Sequence, residues 1–320
     1  INLKQFKKDK IKIDEKIKFE IHKFKKNSWS LNLGEAIKKF SSKLNSLNPN
    51  LIVVTGDRIE TLGMTLAAAY MNIPIAHIQA GDKSGHIDDL ARSAIAKFSN
   101  IHFSSCKDSS LRLQKWGEKK SRIFQVGAPQ LDDIDILSKK KKKKKNYFIV
   151  MFHPVLNESD KIEIQMKNLI KALKKFKNPI YWIYPNNDFG FQLVLKLLKN
   201  KDFKNIKIIK NLDRNKFIDL LSTSKMLIGN SSCGIIEAAS FKLPVINIGT
   251  RQEGRPQSKN IINSSYSSND IEKKIYFGLS KKFQKKCNSA KNLYYKKNSG
   301  YLTYKVLNQL KPTSQILKKY

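Results

Sequence analysis

The chain contains 320 residues, and 40% of them are hydrophobic, which is enough apolar material for the cores of one large or two ordinary domains. Its formal net charge is +36, from 62 lysines and arginines against 26 acidic residues. The excess is mostly lysine and is spread along the whole chain. That pattern favours a solvated basic surface, which attracts small anionic ligands, over a nucleic-acid-binding protein.

Other classes of protein are disfavoured as well. No apolar run approaches the roughly 18 residues that a membrane span needs. The chain opens INLKQFKKDK, without an initiator methionine or an apolar signal segment, so we expect a cytoplasmic protein with a shortened N-terminus. Cys106, Cys233 and Cys287 lack the spacing of metal ligands, and neither a zinc site nor a disulfide framework is predicted.

Short apolar runs alternate with helix-like segments in the first half of the chain. The predicted strands are 51–54, 73–78, 101–105 and 122–127, and the predicted helices are 60–71, one beginning near Asp88, and 109–117. Strands separated by helices of about 10–15 residues indicate βαβ units in a parallel sheet.

A lysine run at 139–145 is the predicted boundary between a domain of residues 1–144 and a domain of residues 145–320. Beyond it, YFIVMFHP, PIYWIYP, IKIIKN, MLIGN and PVINIG are predicted strands, with helices over about 160–176, 189–199 and 235–241. The pattern predicts an α/β fold of two Rossmann-like domains facing across a cleft, in which ligands bind beyond the carboxyl ends of the strands. Further helices from about Lys281 are expected to pack back on the N-terminal domain.

The segment GNSSCGIIEA at 229–238 carries a pattern typical of phosphate binding. A strand delivers a glycine, Asn230, Ser231 and Ser232 to a turn, and backbone N–H groups at the start of the next helix can bind an anion. Gly234 of the same segment is a further candidate for substrate binding. Glu237, one turn into that helix, can accept hydrogen bonds from ribose hydroxyls. The alternative is a serine that caps an ordinary helix.

The segment GTRQEGR at 249–255 follows the next strand and places Arg251 and Arg255 between glycines. Two guanidinium groups in a glycine loop suit a diphosphate, because each can bind it with two parallel hydrogen bonds. A surface loop with solvated arginines is the alternative. The two segments together favour a nucleotide diphosphate as the ligand.

Candidate acids and bases also fall at strand ends. Asp57 and Arg58 follow the strand that ends at 54, and the acid can act as a base, bind a sugar or cap the next helix. His153 precedes a proline at the end of another strand and is a candidate donor to substrate or phosphate.

The stretch IPIAHIQAGDKSGHIDD at 73–89 passes from an apolar strand into polar residues that include Gln79. Asp88 and Arg92 follow it four residues apart, which places them on one face of the predicted helix. An acid in the first turn also stabilises the helix dipole, so a structural role for Asp88 stays open beside a chemical one.

Taken together, these segments resemble the hydrolysing UDP-N-acetylglucosamine 2-epimerases of sialic-acid pathways, a family that includes the epimerase half of the animal bifunctional epimerase/kinase. The resemblance runs from about residue 51 to 262. It rests on VVTGDRIETLG, IPIAHIQAGDKSGHIDDLARSAIAKFSNIHF, VGAPQLDDI, MFHP and IGNSSCGIIEAASFKLPVINIGTRQEGR.

The resemblance implies a glycosyltransferase-B-like fold that binds a UDP-sugar between its domains, without a metal or nicotinamide cofactor. It implies anti elimination of UDP across C1–C2 to a glycal, followed by hydration to N-acetylmannosamine. A dimer or tetramer of identical chains is expected. By motif position, Asp57 and Asp88 match catalytic acids, Ser231 and Ser232 phosphate ligands, Glu237 a ribose ligand, Arg251 a residue near the nucleotide, and His153 the His-Pro position.

Two departures from the family pattern bear on the chemistry. Position 79, which often carries Glu or His in the family, is Gln79 here, and an amide cannot act as a general base. The family's N-terminal strand with its Gly-Thr-Arg turn is absent, which we attribute to a shortened chain. A non-hydrolysing epimerase, a transferase of the same fold and a UDP-sugar-binding protein without turnover are therefore alternatives.

Overall fold

The computed structural model describes residues 6, 9–18, 28–83, 88–137, 143–185, 190–198, 205–210, 212–310 and 316–318. Most of the lysine run predicted as a domain boundary lies outside these residues, since only 143–145 are described. None of the described helices is both long enough and apolar enough to cross a bilayer.

The first sheet has four parallel strands, hydrogen-bonded in the order of the chain. They are β1 Ile52–Thr55, β2 Ile75–Ile78, β3 Ile101–Ser104 and β4 Ile123–Gln125. The helices around them are α1 Ser28–Leu47, α2 Ile59–Tyr70, α3 Asp88–Phe98, α4 Lys107–Lys115 and α5 Asp132–Leu137, with 3-10 turns at Lys120–Arg122 and Pro129–Leu131. All four predicted strands are therefore present; β1 is shifted by one residue, to end at Thr55, and the other three are shorter than predicted.

The second sheet has six parallel strands in the order β10-β9-β8-β5-β6-β7. They are β5 Phe148–Met151, β6 Ile180–Ile183, β7 Ile206–Ile209, β8 Met226–Gly229, β9 Val245–Ile248 and β10 Ile261–Ser264. The helices are α6 Ile162–Leu173, α7 Phe191–Leu198, α8 Arg214–Thr223, α9 Ser232–Ile236, α10 Ser268–Leu279, α11 Lys281–Asn288 and α12 Ser299–Asn308, with 3-10 turns at Leu156–Lys161 and Ala238–Phe241. This is the strand order of a Rossmann fold. Strands β6 and β7 are added on one side of β5, and β8 to β10 are added on its other side, so the order of the strands reverses between β5 and β8.

Some elements differ from the prediction. The sequence-based prediction did not include α1. Its residues Ala36, Phe40 and Leu44 nevertheless recur at the helical spacing of four, and they pack in the core between α1 and α2. The helix predicted at 235–241 begins earlier, at Ser232, and stops at Ile236. The chain continues as the 3-10 turn Ala238–Phe241, and the Ile236 carbonyl accepts a hydrogen bond from the side-chain Nδ2 of Asn292 (2.7 Å).

The end of the described chain packs on the first sheet. Leu302 and Val306 of α12, together with Ile316, join Phe103 and Val126 in one apolar cluster. The segment is also held by polar contacts, because Arg122 donates hydrogen bonds to the carbonyls of the residues at 316 and 317.

A buried ion pair completes this attachment. Lys318 Nζ lies 2.7 Å from Glu118 Oε2, and the buried His102 Nε2 lies 2.9 Å from the same oxygen. Burial raises the pKa of Glu118, but the hydrogen bonds from His102 and Lys318 outweigh it and leave that pKa below its ordinary value. The pair therefore stabilises the fold at neutral pH, and this contribution is lost as the pH falls through the lowered pKa.

Glu118→Gln is expected to lower the free energy of unfolding by about 2–4 kcal/mol at pH 7, because it leaves Lys318 without its counter-charge. The difference from wild type should shrink below about pH 4, where the carboxyl is protonated in the unfolded chain. Urea unfolding at several pH values measures both effects. Glu163→Gln, which removes an exposed i,i+4 pair with Lys167 (2.7 Å), is the matched control and should leave the midpoint unchanged. An equal loss in both variants would contradict the assignment.

Candidate active site

The loops that follow β5 and β8 meet at the point where the strand order of the second sheet reverses. Met151 at the end of β5 pairs with Gly229 at the end of β8. Gly229 has a φ of +136°, and a Cβ atom there would overlap the carbonyl oxygen of Met151. Only glycine allows the two backbones to approach so closely, which explains the residue that opens the serine-rich segment.

A buried asparagine joins these two loops. Asn230 is fully buried, its Oδ1 accepts a hydrogen bond from the backbone N–H of His153 (2.7 Å), and its Nδ2 donates to the carbonyl of His153 (2.8 Å). The Asn230 carbonyl in turn accepts from Arg251 Nη1 (3.2 Å) and Gln252 Nε2 (2.8 Å). One residue thus aligns the His-Pro loop, the serine loop and the arginine loop.

His153 is buried beside Arg251. Burial, and then the positive charge of Arg251, lower the pKa of His153 to about 3. The imidazole is therefore neutral at physiological pH and can donate or accept one hydrogen bond at each nitrogen, but it cannot supply a positive charge to a phosphate.

The serine loop is built differently from an ordinary capped helix. Ser231 precedes α9, yet its hydroxyl makes no capping bond and instead accepts from Cys233 Sγ (3.2 Å). Gly234 meets a packing requirement, since a Cβ atom there would lie 3.0 Å from Val245 and 3.1 Å from Leu227. Ser231 and Ser232 remain half-buried, at the edge of the sheet.

Glu237 lies at the junction between α9 and the following 3-10 turn rather than inside a continuous helix. Its Oε2 accepts a hydrogen bond from Arg214 Nη1 (2.9 Å). Burial raises the pKa of Glu237 above its ordinary value, and the neighbouring guanidinium reduces that rise without cancelling it.

Two acidic residues lie just beyond the carboxyl ends of β1 and β2 in the first sheet, Asp57 and Asp82, and we call them the acid cluster. The buried guanidinium of Arg92 pairs with the carboxylate of Asp57 and donates to the carbonyl of Gln79 (2.7 Å). Below them, His77 is fully buried with its Nε2 2.8 Å from the Gly56 carbonyl. Burial, and then the charge of Arg92, lower the pKa of His77 to about 3, so it is neutral and donates to that carbonyl.

The loop that follows β2 is held in an uncommon conformation. Gln79 has a φ of +61° and Gly81 a φ of +72°, both in the left-handed region. Arg112 donates to the Gly81 carbonyl, and the buried Asp82 accepts from the hydroxyls of Ser105 and Ser109. A non-glycine residue in this region costs roughly 1–2 kcal/mol, and such strain concentrates at functional sites.

The carboxyl ends of the strands in the two sheets come close to each other at the arginine loop, residues 249–255. Arg255 interacts electrostatically with Asp82 and Asp57 of the first domain, and burial lowers its pKa despite these attractive charges. The buried Nε of Arg255 has no hydrogen-bond partner within the described residues. A cavity of about 270 Å³ lies at this junction, lined by Asp82 and Arg112 on one side and Gly254 on the other.

The predicted site residues therefore fall into two groups across one junction. Asp57, Gln79 and Arg92 form the first group, and His153, Ser231, Ser232, Glu237, Arg251 and Arg255 lie at or beside the second. Asp88 is half-buried in the first turn of α3. Arg58 points elsewhere: its side chain is 62% exposed and pairs with Glu60 (3.2 Å). No set of three metal-binding side chains occurs in the part of the chain that the structure describes.

Two residues of the junction carried no assignment from sequence. Gln130 and Arg214 are distant in sequence from the residues they contact, and no local pattern marks them. Asp82 and Asn230 were visible as polar residues that follow strands, but their contacts are not readable from the local sequence.

Asn230→Ala is expected to lower the free energy of unfolding by about 2–4 kcal/mol, because it leaves the N–H and carbonyl of His153 buried without partners. Urea unfolding measures the change. Asn178→Ala removes an exposed amide contact to Asn146 (2.7 Å) and is the control that should lose little. Matching losses in the two variants would show that the amide does not hold the loops.

Comparison with known proteins identifies relatives over most of the chain. A family model described as UDP-N-acetylglucosamine 2-epimerase matches residues 2–308. A UDP-N,N'-diacetylbacillosamine 2-epimerase (hydrolyzing) of Legionella pneumophila is 36% identical over 298 residues, covering 90% of this chain and 78% of that protein. A UDP-N-acetylglucosamine 2-epimerase of Neisseria meningitidis is 34% identical over 249 residues, covering 75% of this chain and 66% of that protein.

Solved structures share the fold. The Methanocaldococcus jannaschii UDP-GlcNAc 2-epimerase, in complex with UDP-GlcNAc and UDP, superposes with a TM-score of 0.78 at 20% identity, covering 96% of this chain and 88% of that one. The prediction of two Rossmann-like domains in a glycosyltransferase-B-like fold is confirmed. The resemblance noted in the sequence is confirmed as well, and the chain belongs to the UDP-N-acetylglucosamine 2-epimerase family.

Proposed function

We propose that this protein catalyses the hydrolysing 2-epimerisation of a UDP-2-acetamido sugar, with UDP-N-acetylglucosamine as the first candidate substrate. The observation that carries the proposal is the junction itself, where Asp57 and Asp82 lie within electrostatic reach of Arg255 from the other domain. A carboxylate base and a cation for a departing diphosphate are thereby available on opposite sides of one cleft.

The proposed reaction has two balanced steps. A carboxylate removes the proton from C2, the C1–O bond breaks, and the electron pair of the C2–H bond becomes the C1=C2 double bond while UDP departs. Water then supplies a hydroxyl to C1 and a proton returns to C2 on the opposite face. The products are the 2-epimeric free sugar and UDP, so each turnover consumes one water molecule.

We assign Asp57 and Asp88 as the catalytic acids. Arg92 fixes the Asp57 carboxylate from a buried position, which orients the base at no further entropic cost when substrate binds. Gln79 and the neutral His153 are assigned to hydrogen bonds with the sugar and the leaving group, because neither can carry the C2 proton at neutral pH.

The nucleotide is assigned to the second domain. Ser231 and Ser232 supply hydroxyls to the phosphates, Arg251 and Arg255 supply charge to the diphosphate, and Glu237 accepts from the ribose hydroxyls. Ligands of Rossmann-like sheets bind where the strand order reverses, and the serine loop and the His-Pro loop flank that point.

A second candidate substrate follows from the relatives. The Legionella pneumophila protein, and a Campylobacter jejuni protein 32% identical over 288 residues, are named as hydrolysing 2-epimerases of N,N'-diacetylbacillosamine nucleotides. UDP-N,N'-diacetylbacillosamine is therefore the next substrate to assay. Free UDP with a free sugar indicates hydrolysis, whereas an epimeric UDP-sugar indicates the non-hydrolysing reaction.

Asp57→Asn is expected to lower kcat by about 10²–10⁴-fold, because the amide cannot accept the C2 proton. UDP release and incorporation of deuterium at C2 in D₂O measure the reaction. Glu60→Gln, an exposed change on the adjoining helix, is the control with wild-type turnover. Unchanged kcat in Asp57→Asn would rule out this residue as the base.

Gln79→Glu is expected to raise kcat, by about tenfold, because it adds a carboxylate that can carry a proton at the end of β2. Gln79→Leu removes the contact between Gln79 Nε2 and Gln130 Oε1 (3.3 Å) and is expected to lower kcat instead. Steady-state rates with both candidate substrates decide the point. A slower Gln79→Glu enzyme would show that the amide itself is required.

A further inference from the structure

Arg214 contacts both domains with one guanidinium group. It opens α8 in the second domain, and its Nη1 donates to Glu237 Oε2 (2.9 Å) in the same domain. Its Nη2 donates to the carbonyl of Gln130 (2.6 Å), and its Nε lies 3.4 Å from Asp133 Oδ2. Gln130 and Asp133 belong to the segment that follows β4 in the first domain.

The Gln130 contact leads directly to the acid cluster. The side chain of Gln130 accepts from Gln79 Nε2 (3.3 Å), and the Gln79 carbonyl accepts from Arg92 (2.7 Å), which pairs with Asp57. Polar contacts therefore link the carboxylate of Glu237 to the carboxylate of Asp57 through Arg214 and Arg92, and the path between these two arginines runs through the backbone and side chain of Gln130 and of Gln79.

Glu237 depends on Arg214 for its charge. The charged groups that face it are Arg214 from α8 and Asp133 from α5, and the buried thiol of Cys233 lies on its own helix. Burial and Asp133 favour the protonated carboxyl, and Arg214 opposes both. Without that cation the carboxyl would protonate at a higher pH, and a protonated carboxyl loses acceptor capacity for two ribose hydroxyls.

We propose that Arg214 is a positioning residue that keeps Glu237 in the form that binds the nucleotide ribose and, from the same guanidinium, fixes the Gln130 segment beneath the acid cluster. The inference rests on the proposed function, which supplies the role of Glu237. It adds a physical link between nucleotide binding in one domain and the arrangement of the acids in the other.

The geometry of the contact requires arginine rather than lysine. A guanidinium presents several N–H groups in a fixed plane and can bind Glu237 and Gln130 at once, whereas an ammonium is a compact single charge. Arg214→Lys should therefore keep the charge beside Glu237 and lose the contact to Gln130. Arg214→Met should lose both.

The experiment compares UDP binding, by calorimetry between pH 8 and pH 5.5, with turnover of the two candidate UDP-sugars. For Arg214→Met, the ratio of its UDP Kd to that of wild type is expected to grow severalfold as the pH falls over this range, because a larger share of its Glu237 carboxyl becomes protonated. The phosphate of UDP also titrates in this pH range. Its titration is the same whichever variant is present, so it cancels in the ratio of the two Kd values.

The conservative variant separates the two roles. Arg214→Lys should show a Kd ratio that stays level with pH, within about threefold, and a kcat lowered by about tenfold through the displaced Gln130 segment. Lys216→Met is the matched control, because it removes an exposed pair with Asp213 (3.2 Å) on the same helix and should match wild type in both measurements. Thermal melts verify that each variant is folded.

The outcomes distinguish the inference from the function beneath it. Wild-type protein that binds UDP but turns over neither sugar overturns the proposed reaction, while the pH profiles still decide the role of Arg214 toward Glu237. Parallel pH profiles in wild type and Arg214→Met overturn the role of Arg214, even if turnover is established. Wild-type protein that does not bind UDP overturns both.

Discussion

The buried guanidinium of Arg92 is the contact on which the acid-bearing edge of the first sheet depends. An isolated charge in this position would cost several kcal/mol, and it is tolerated because Asp57 and the Gln79 carbonyl satisfy it from two different strand ends. The same contact holds Gln79 in a left-handed backbone conformation that a free loop would abandon. The Asp57 carboxylate and the strained loop are therefore stabilised together by one cation.

Both edges of the junction solve the same structural problem. Beyond the last ladder bond of a parallel strand, backbone carbonyls have no partner, and burial without one is costly. Here side chains supply the donors: the buried Arg92 and the half-buried Arg112 in the first domain, and the buried Asn230 in the second. The polar residues at the strand ends thus form hydrogen bonds with the backbone, and these bonds fix the conformation of the loops.

Sequence reasoning located the strands because buried parallel strands are short apolar runs with sharp ends. It missed β10, whose residues Ile261–Ser264 are half polar, and it misplaced α9, whose last carbonyl is bound by a side chain 56 residues away. The site residues assigned by family position lie at two facing strand edges, and their roles remain proposals. Arg214 could not be found in this way, since its importance comes from Gln130, 84 residues earlier in the chain.

The attachment of α12 and of the segment around Ile316 to the first sheet means that the chain passes between the domains twice. It passes once between α5 and β5 and once between α11 and α12. Two crossing points define a line, so the simplest motion that opens the junction is a rotation about that line. The second crossing also delays assembly, because the apolar cluster around Phe103 and Val126 cannot be completed until residues near 316 have been synthesised, after the whole second sheet.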